Sequence, residues 1–231
     1  MAVRLQVVRS RIEAAAKRSG RSPDEVTLVA VSKTHPTETL QQALSLGLKD
    51  LGENRVQEAE DKIVELGRDT ARWHLIGHLQ ANKTRRAVKL FDAIHSVDSA
   101  ALAQRLDRHC ADEERASLPV LLQVDLAGEE TKSGVTEKEL ELLAQAVGDC
   151  RRLQLKGLMT LPPFLADVES VRPFFERLRS LRDTLQASGC FGERLGDLSM
   201  GMSHDFEIAI EEGATIVRIG TALFGERGAR Q

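Results

Sequence analysis

Short apolar runs trade places with stretches of helical period along almost the whole chain, and this alternation constrains the fold more than any other feature. Successive strands joined by helix-length connections pair in parallel, because an antiparallel pair needs only a tight turn. Strand-like runs fall at 27–33, 50–52, 73–77, 93–97, 119–124, 153–159, 197–200 and 216–219. Helical spacing follows Pro36 through Leu40, Ala43 and Leu44 to Gly47, then covers about 55–66 and 81–90. Further helices are expected from a cap at Asp98 or Ser99 to Glu114, through Leu140, Leu143 and Val147, over about 168–187, and through Ile208 and Ile210 to Gly213. Leu5, Val8, Ile12, Ala15 and Ala16 line one face of an additional helix that precedes the first strand and ends near Gly20. A helix after the last strand is only hinted at.

Eight strand–helix units predict an α/β protein: a single (β/α)8 TIM barrel with an extra N-terminal helix. The expected layout is one domain over 1–231, with 1–25 as helix and lead-in and 226–231 as a frayed tail. At 25.5 kDa such a chain buries roughly 70% of its unfolded surface, enough for a self-sufficient core. The rival is an open doubly wound sheet, which usually carries a Gly-rich turn after its first strand. Here Lys33-Thr34-His35-Pro36 follows, with no glycine until Gly47.

Charge and composition exclude several classes. With 32 basic and 35 acidic residues the net charge is −3, which leaves no broad footprint for nucleic acid. The densest basic cluster, Lys83, Arg85, Arg86 and Lys89, has the spacing of a solvated helix face. No apolar run approaches the roughly 18 residues that span a bilayer. The first residues carry Arg4, Arg9 and Arg11 with no apolar segment of a secretory signal. Cys110, Cys150 and Cys190 are odd in number and form no CxxC pair, so reduced thiols and a cytoplasmic location are expected.

In a barrel of this kind the chemistry sits at the carboxyl ends of the strands. Lys33 ends the first strand, where partial desolvation favours the neutral amine and makes it a carbonyl nucleophile; the alternative is a solvated lysine starting a loop. Ser199-Met200-Gly201-Met202-Ser203 follows the seventh strand and Gly220-Thr221 the eighth, the positions where barrels build phosphate sites from glycine, hydroxyls and amides. Arg218 alternates with Val217 and Ile219, so either the guanidinium or the apolar pair faces into the barrel. Inside, it needs an acceptor: a pyridine nitrogen or a barrel carboxylate. Lys156, inside the sixth strand, is a second candidate lysine, of the kind Schiff-base aldolases carry. His74 and His78 are separated by a strand-to-loop break, and no metal site is expected from them. His35, His95, His109 and His204 read as scattered surface or satisfied histidines, and Glu129-Glu130 and Glu211-Glu212 as solvated pairs.

Seven segments, in order, carry a family resemblance. They are Val29-Ala30-Val31-Ser32-Lys33-Thr34, Gly52-Glu53-Asn54-Arg55-Val56-Gln57-Glu58, the stretch 74–83 from His74 to Lys83, Lys132-Ser133-Gly134, Gly157-Leu158-Met159, the stretch 198–203 and the stretch 217–225. Together the chain resembles the pyridoxal phosphate homeostasis protein family, from about Val26 to Gly225. The resemblance implies a barrel like the N-terminal domain of alanine racemase (fold type III), with pyridoxal 5′-phosphate (PLP) held as a Schiff base on Lys33. It implies that Ser199, Gly220 and Thr221 hold the phosphate, that Arg218 faces the pyridine nitrogen, and that Asn54 lines the pocket. His204 and Thr160 are mild departures from the family pattern, away from these contacts.

The implied role is a monomeric carrier that stores, buffers or delivers the cofactor, with PLP-dependent apoenzymes as recipients. It would be no enzyme beyond a weak side activity with amino acids. An arginine at the ring nitrogen leaves the ring a weak electron sink. The alternatives are a PLP-dependent amino-acid racemase and a phosphosugar aldolase. Alanine racemases, which resemble this barrel, add a second domain and a catalytic tyrosine, whereas these 231 residues contain no Tyr.

Overall fold

The computed structural model describes residues 1–128 and 133–225. The strands are β1 (Thr27–Val31), β2 (Asp50–Glu53), β3 (Arg72–Leu75), β4 (Ala93–Val97), β5 (Leu118–Val124), β6 (Leu153–Thr160), β7 (Asp197–Ser199) and β8 (Ile216–Ile219). The helices are α1 (Ala2–Arg18), α2 (Thr37–Ser45), α3 (Val56–Leu66), α4 (Thr84–Leu90), α5 (Ala100–Asp112), α6 (Leu140–Gly148), α7 (Arg172–Ala187), α8 (Phe206–Glu211) and α9 (Thr221–Phe224). The strands close in chain order into a parallel barrel. Pairs from Thr27↔Ile216 to Ala30↔Ile219 complete the circle between β1 and β8. The fold is the expected (β/α)8 barrel with an extra N-terminal helix.

Period-two alternation sorts the strand side chains into two layers. Ala30, Leu122, Leu158 and Val217 belong to the main core between sheet and helices. Their neighbours Val29, Leu121, Met159 and Ile216 form a separate cluster inside the barrel. The expected first strand is shorter than its apolar run. Its last ladder pair is Val31↔Gly52, after which Thr34 takes φ +67°, a left-handed conformation rare for a β-branched residue. β3 likewise stops at Leu75 rather than Gly77, and β7 at Ser199 rather than Met200. The hinted last helix is the single turn α9.

α1 buries Leu5, Val8, Ile12, Ala15 and Ala16, and each full-sized aliphatic side chain among them contributes about 1.5–3 kcal/mol. Polar bonds fix where this face lands. Arg4 donates from Nε to Leu223 O (2.9 Å) and from Nη2 to Phe224 O (3.1 Å), and Arg11 pairs with Glu207 at 2.6 Å. α1 is thereby clamped over α8 and α9, behind the last two strand ends.

The basic cluster is tied down by acids, with Arg85 and Lys89 on Glu113 and Arg86 on Glu60. Glu211 and Glu212, expected as solvated, instead join Arg18, Arg172 and Arg179, and Glu212 is buried. Cys110, Cys150 and Cys190 are free thiols, and burial pushes Cys110 up to about 11. Glu129, Glu130, Lys132 of the fourth segment, and the 226–231 tail lie outside the described residues. Among the described residues no helix is long and apolar enough to cross a membrane.

Candidate functional site

Lys33 lies two residues beyond β1, in phase with the interior-facing Val29, and the turn that carries it is pinned on both sides. The Ser32 amide donates to Gly52 O (3.0 Å) and its hydroxyl to Glu53 Oε1 (2.7 Å). Lys62 Nζ donates to Ser32 O (2.8 Å), Glu53 Oε1 (2.7 Å) and Glu58 Oε1 (2.8 Å), while Glu58 also accepts from the Thr34 amide. Glu58 and Lys62 stand four apart on α3, so one helix face presents both charges to the turn. Glu53 is fully buried, and burial raises its pKa despite Lys62 and Ser32; its Oε2 has no hydrogen-bond partner among the described residues. Burial opposes ionisation of Glu58 as well, but Lys62 and the Thr34 amide outweigh it and hold the carboxyl below its ordinary range. The strained φ at Thr34 is thus held by ionic contacts directly beside the candidate lysine.

Asn54 follows β2, half-buried. A Cβ at Gly77 would lie 2.4 Å from Asn54 O and 2.8 Å from Asn54 Cα, so the β3 loop can rest on Asn54 only because position 77 is glycine.

Arg218 faces into the barrel, leaving Val217 and Ile219 to the outer core, and is 2% exposed. Its Nη1 donates to Ser199 Oγ (2.6 Å) and its Nη2 to Thr160 O (2.8 Å), which places the guanidinium level with the carboxyl ends of β6 and β7 and, contrary to expectation, puts Thr160 in contact with one of the candidate site residues. Among the described residues neither contact is a carboxylate. Burial pushes Arg218 down to about 10, with the charge of Asp205 acting the other way. Ser199 is itself fully buried, and its hydroxyl also meets His95 Nδ1 at 2.9 Å. From there the contacts continue from His95 Nε2 to His74 Nδ1 (3.0 Å), His74 Nε2 to Asp50 Oδ1 (2.9 Å) and Arg72 Nη2 to Asp50 Oδ2 (2.7 Å).

The hydroxyl beside the Gly220–Thr221 turn belongs to Ser203, whose Oγ accepts from the Ala222 amide at 3.1 Å. Gly201 lets the β7 loop rest on α8: it has φ +91°, and a Cβ there would sit 2.6 Å from Ala209 Cβ and 2.9 Å from Phe206 Cα. The Arg218 amide donates to Gly201 O at 2.9 Å, so the β7 and β8 loops are joined. Of the six residues singled out in the sequence, Lys33, Asn54, Gly220 and Thr221 follow the ends of β1, β2 and β8, all on one face of the barrel. Ser199 and Arg218 form its floor. Lys156 is not there, because it lines a small surface cavity with Phe191 and Arg194. His78 contacts Ser133 and Asp98 at the surface, apart from the interior His74.

Sequence reading missed the connection between His74, His95 and Ser199, and the ionic clamp of Glu53 and Lys62. One signal was available for the first: Asp50, His74, His95, Ser199 and Arg218 are polar residues that alternate with the apolar Leu51, Trp73 and Leu75, Ile94, Leu198, and Val217 and Ile219 of their strands.

The family described as Alanine racemase, N-terminal domain, matches residues 3–228. The chain is 46% identical over 224 residues to the Pyridoxal phosphate homeostasis protein of Aquifex aeolicus, covering 97% of both. It is 44% identical over 229 residues to the protein of the same name from Escherichia coli K12, covering 96% of this chain and 95% of that one. PipY of Synechococcus elongatus, solved without PLP, superposes with a TM-score of 0.86 at 40% identity, over 97% of this chain and 100% of PipY. Its PLP-bound form gives 0.81 at the same identity, over 93% and 100%. The resemblance carried by the seven segments holds: the chain belongs to the alanine racemase N-terminal domain family, in the branch whose members are named pyridoxal phosphate homeostasis protein.

Proposed function

We propose that this protein binds pyridoxal 5′-phosphate at the carboxyl-end mouth of the barrel and serves cofactor homeostasis, by storage, buffering or delivery to PLP-dependent apoenzymes. One observation carries the reading: the buried, donor-only guanidinium of Arg218 lies on the floor of the mouth that Lys33 and the Gly220–Thr221 turn surround. The donor set fits the ligand. An amine, a guanidinium, backbone amides and hydroxyls match an aldehyde, a ring-nitrogen lone pair and a phosphate dianion. When bound, the cofactor supplies a carbonyl that takes up amines reversibly and a ring that withdraws electrons.

Lys33 Nζ provides the amine for covalent attachment, with loss of water. Gly220 and Thr221 hold the phosphate together with Ser203, and Ser199 contributes through Arg218, to which its hydroxyl is committed. Asn54 borders the ring. Arg218 would face the ring nitrogen as a donor with no lone pair to accept from a protonated ring, which would leave the ring a weak electron sink and disfavour turnover. Carriage by a cytoplasmic monomer with reduced thiols completes the reading. The absence of any tyrosine speaks against a racemase, and the position of Lys156 against an aldolase.

Adding PLP to the purified protein is expected to give a visible absorption band that Lys33→Ala abolishes. An unchanged band in that variant overturns the anchor. Incubation with L-alanine in deuterium oxide, followed by NMR, is expected to show slow α-proton exchange without racemisation. Rapid exchange with racemisation would establish the racemase instead.

A further inference from the structure

Six polar side chains cross the barrel in one hydrogen-bonded row: Arg218, Ser199, His95, His74, Asp50 and Arg72. The row begins at the carboxyl-end mouth and finishes at the opposite face, where Asp50 lines a surface cavity of about 740 Å³ together with Lys49 and Arg72. Its two ends have fixed roles, since a guanidinium only donates and an ionised carboxylate only accepts.

With neutral rings the row therefore has one direction. Ser199 accepts from Arg218, and its single hydrogen goes to His95 Nδ1, because Asp50 at the other end accepts from His74 Nε2 and leaves the Nδ1 atoms of both rings as acceptors. His95 must then carry its proton on Nε2 and give it to His74 Nδ1, and His74 donates from Nε2 to Asp50. Two features keep this arrangement. Burial, with the guanidinium charge of Arg218 adding to it, drives the His95 pKa well below its usual range, so the ring stays neutral. Burial pushes Asp50 upward, but His74 and Arg72 outweigh it and hold the carboxyl ionised.

We propose that His95, oriented by His74 and Asp50, is a positioning residue. It fixes the Ser199 hydroxyl with a lone pair toward Arg218, and so keeps the guanidinium aimed at the cofactor ring. This inference rests on the proposed PLP site. Without His95 the Ser199 hydrogen loses its acceptor, and among the described residues Arg218 keeps only Thr160 O as an oriented partner.

The test compares His95→Leu and His95→Gln with the wild-type protein, titrated with PLP. His95→Leu fills the space without a ring nitrogen. It is expected to weaken PLP binding about tenfold, or about 1.4 kcal/mol, and to shift the visible band. His95→Gln, whose carbonyl can accept from Ser199 and whose amide can donate to His74, is expected to restore most of both. A merely structural role would change stability but leave the band in place. His95→Leu with wild-type affinity and spectrum, when Arg218→Lys shifts both, overturns the positioning role alone. Arg218→Lys with a wild-type spectrum overturns the ring assignment and this inference with it. Should His95→Leu not fold, long-range ¹H–¹⁵N NMR of the cofactor-free wild-type protein decides. A His95 ring protonated only at Nε2 supports the row, and a proton on Nδ1 overturns it.

Discussion

All three ammonium hydrogens of Lys62 have acceptors, Ser32 O, Glu53 Oε1 and Glu58 Oε1, and the side chain is 8% exposed. A buried charge of this kind stabilises only while its partners remain. Lys62→Met keeps the stem, removes the charge and leaves Glu53 buried without its cation. A stability loss of about 3–5 kcal/mol is expected in urea denaturation, and a loss under about 1 kcal/mol would contradict the clamp. The carboxylates give a pH signature. Asp50 and Glu58 are held below their ordinary pKa range, so each contributes stability that is full above the unfolded value, about 4, and lost as pH falls through the lower folded value. Asp50→Asn and Glu58→Gln should each flatten the fall of melting temperature below about pH 4. An acid limb unchanged in both variants would contradict the two assignments. At this scale the sequence singled out Lys33 and Arg218 as candidates, because both fall near the carboxyl ends of strands, where barrel chemistry gathers. His95 and Lys62 were not legible. Their roles depend on partners far along the chain: Ser199, 104 residues from His95, meets it only across the closed barrel, and Ser32 and Glu53, 30 and 9 residues from Lys62, meet it only when α3 packs on the β1–β2 pair.

α1 acts on the site through α9. By bonding the last carbonyls of the α9 turn, Arg4 stabilises a helix too short to hold itself, and the Gly220–Thr221 turn begins that helix. Arg4→Ala should lower stability by about 1–2 kcal/mol and weaken PLP binding a few-fold, read by denaturation and titration. Full retention of affinity would show that the turn holds its shape unaided. Element order and type were legible because hydrophobic period separates strands from helices. The exact strand ends were not. β1 stops at Val31 because ladder bonds need a neighbour, and α9 carries too few residues to show a period.

For the molecule as a whole, one barrel supplies two layers with different duties. The outer apolar core carries stability, while the interior of the barrel gives part of its space to the polar row behind Arg218. The ionic clamp around Lys33 and the row beneath Arg218 fix the two ends of the proposed cofactor from separate sides of the mouth. Under the proposed reading such a site would hold its ligand in one orientation, and the arginine would keep the ring a weak electron sink, as suits a carrier. Borohydride reduction of the PLP-saturated protein, followed by peptide mass mapping, tests this most directly. The account predicts a pyridoxyl group on Lys33; recovery of the adduct on Lys156 or another lysine, with Lys33 unmodified, would contradict it.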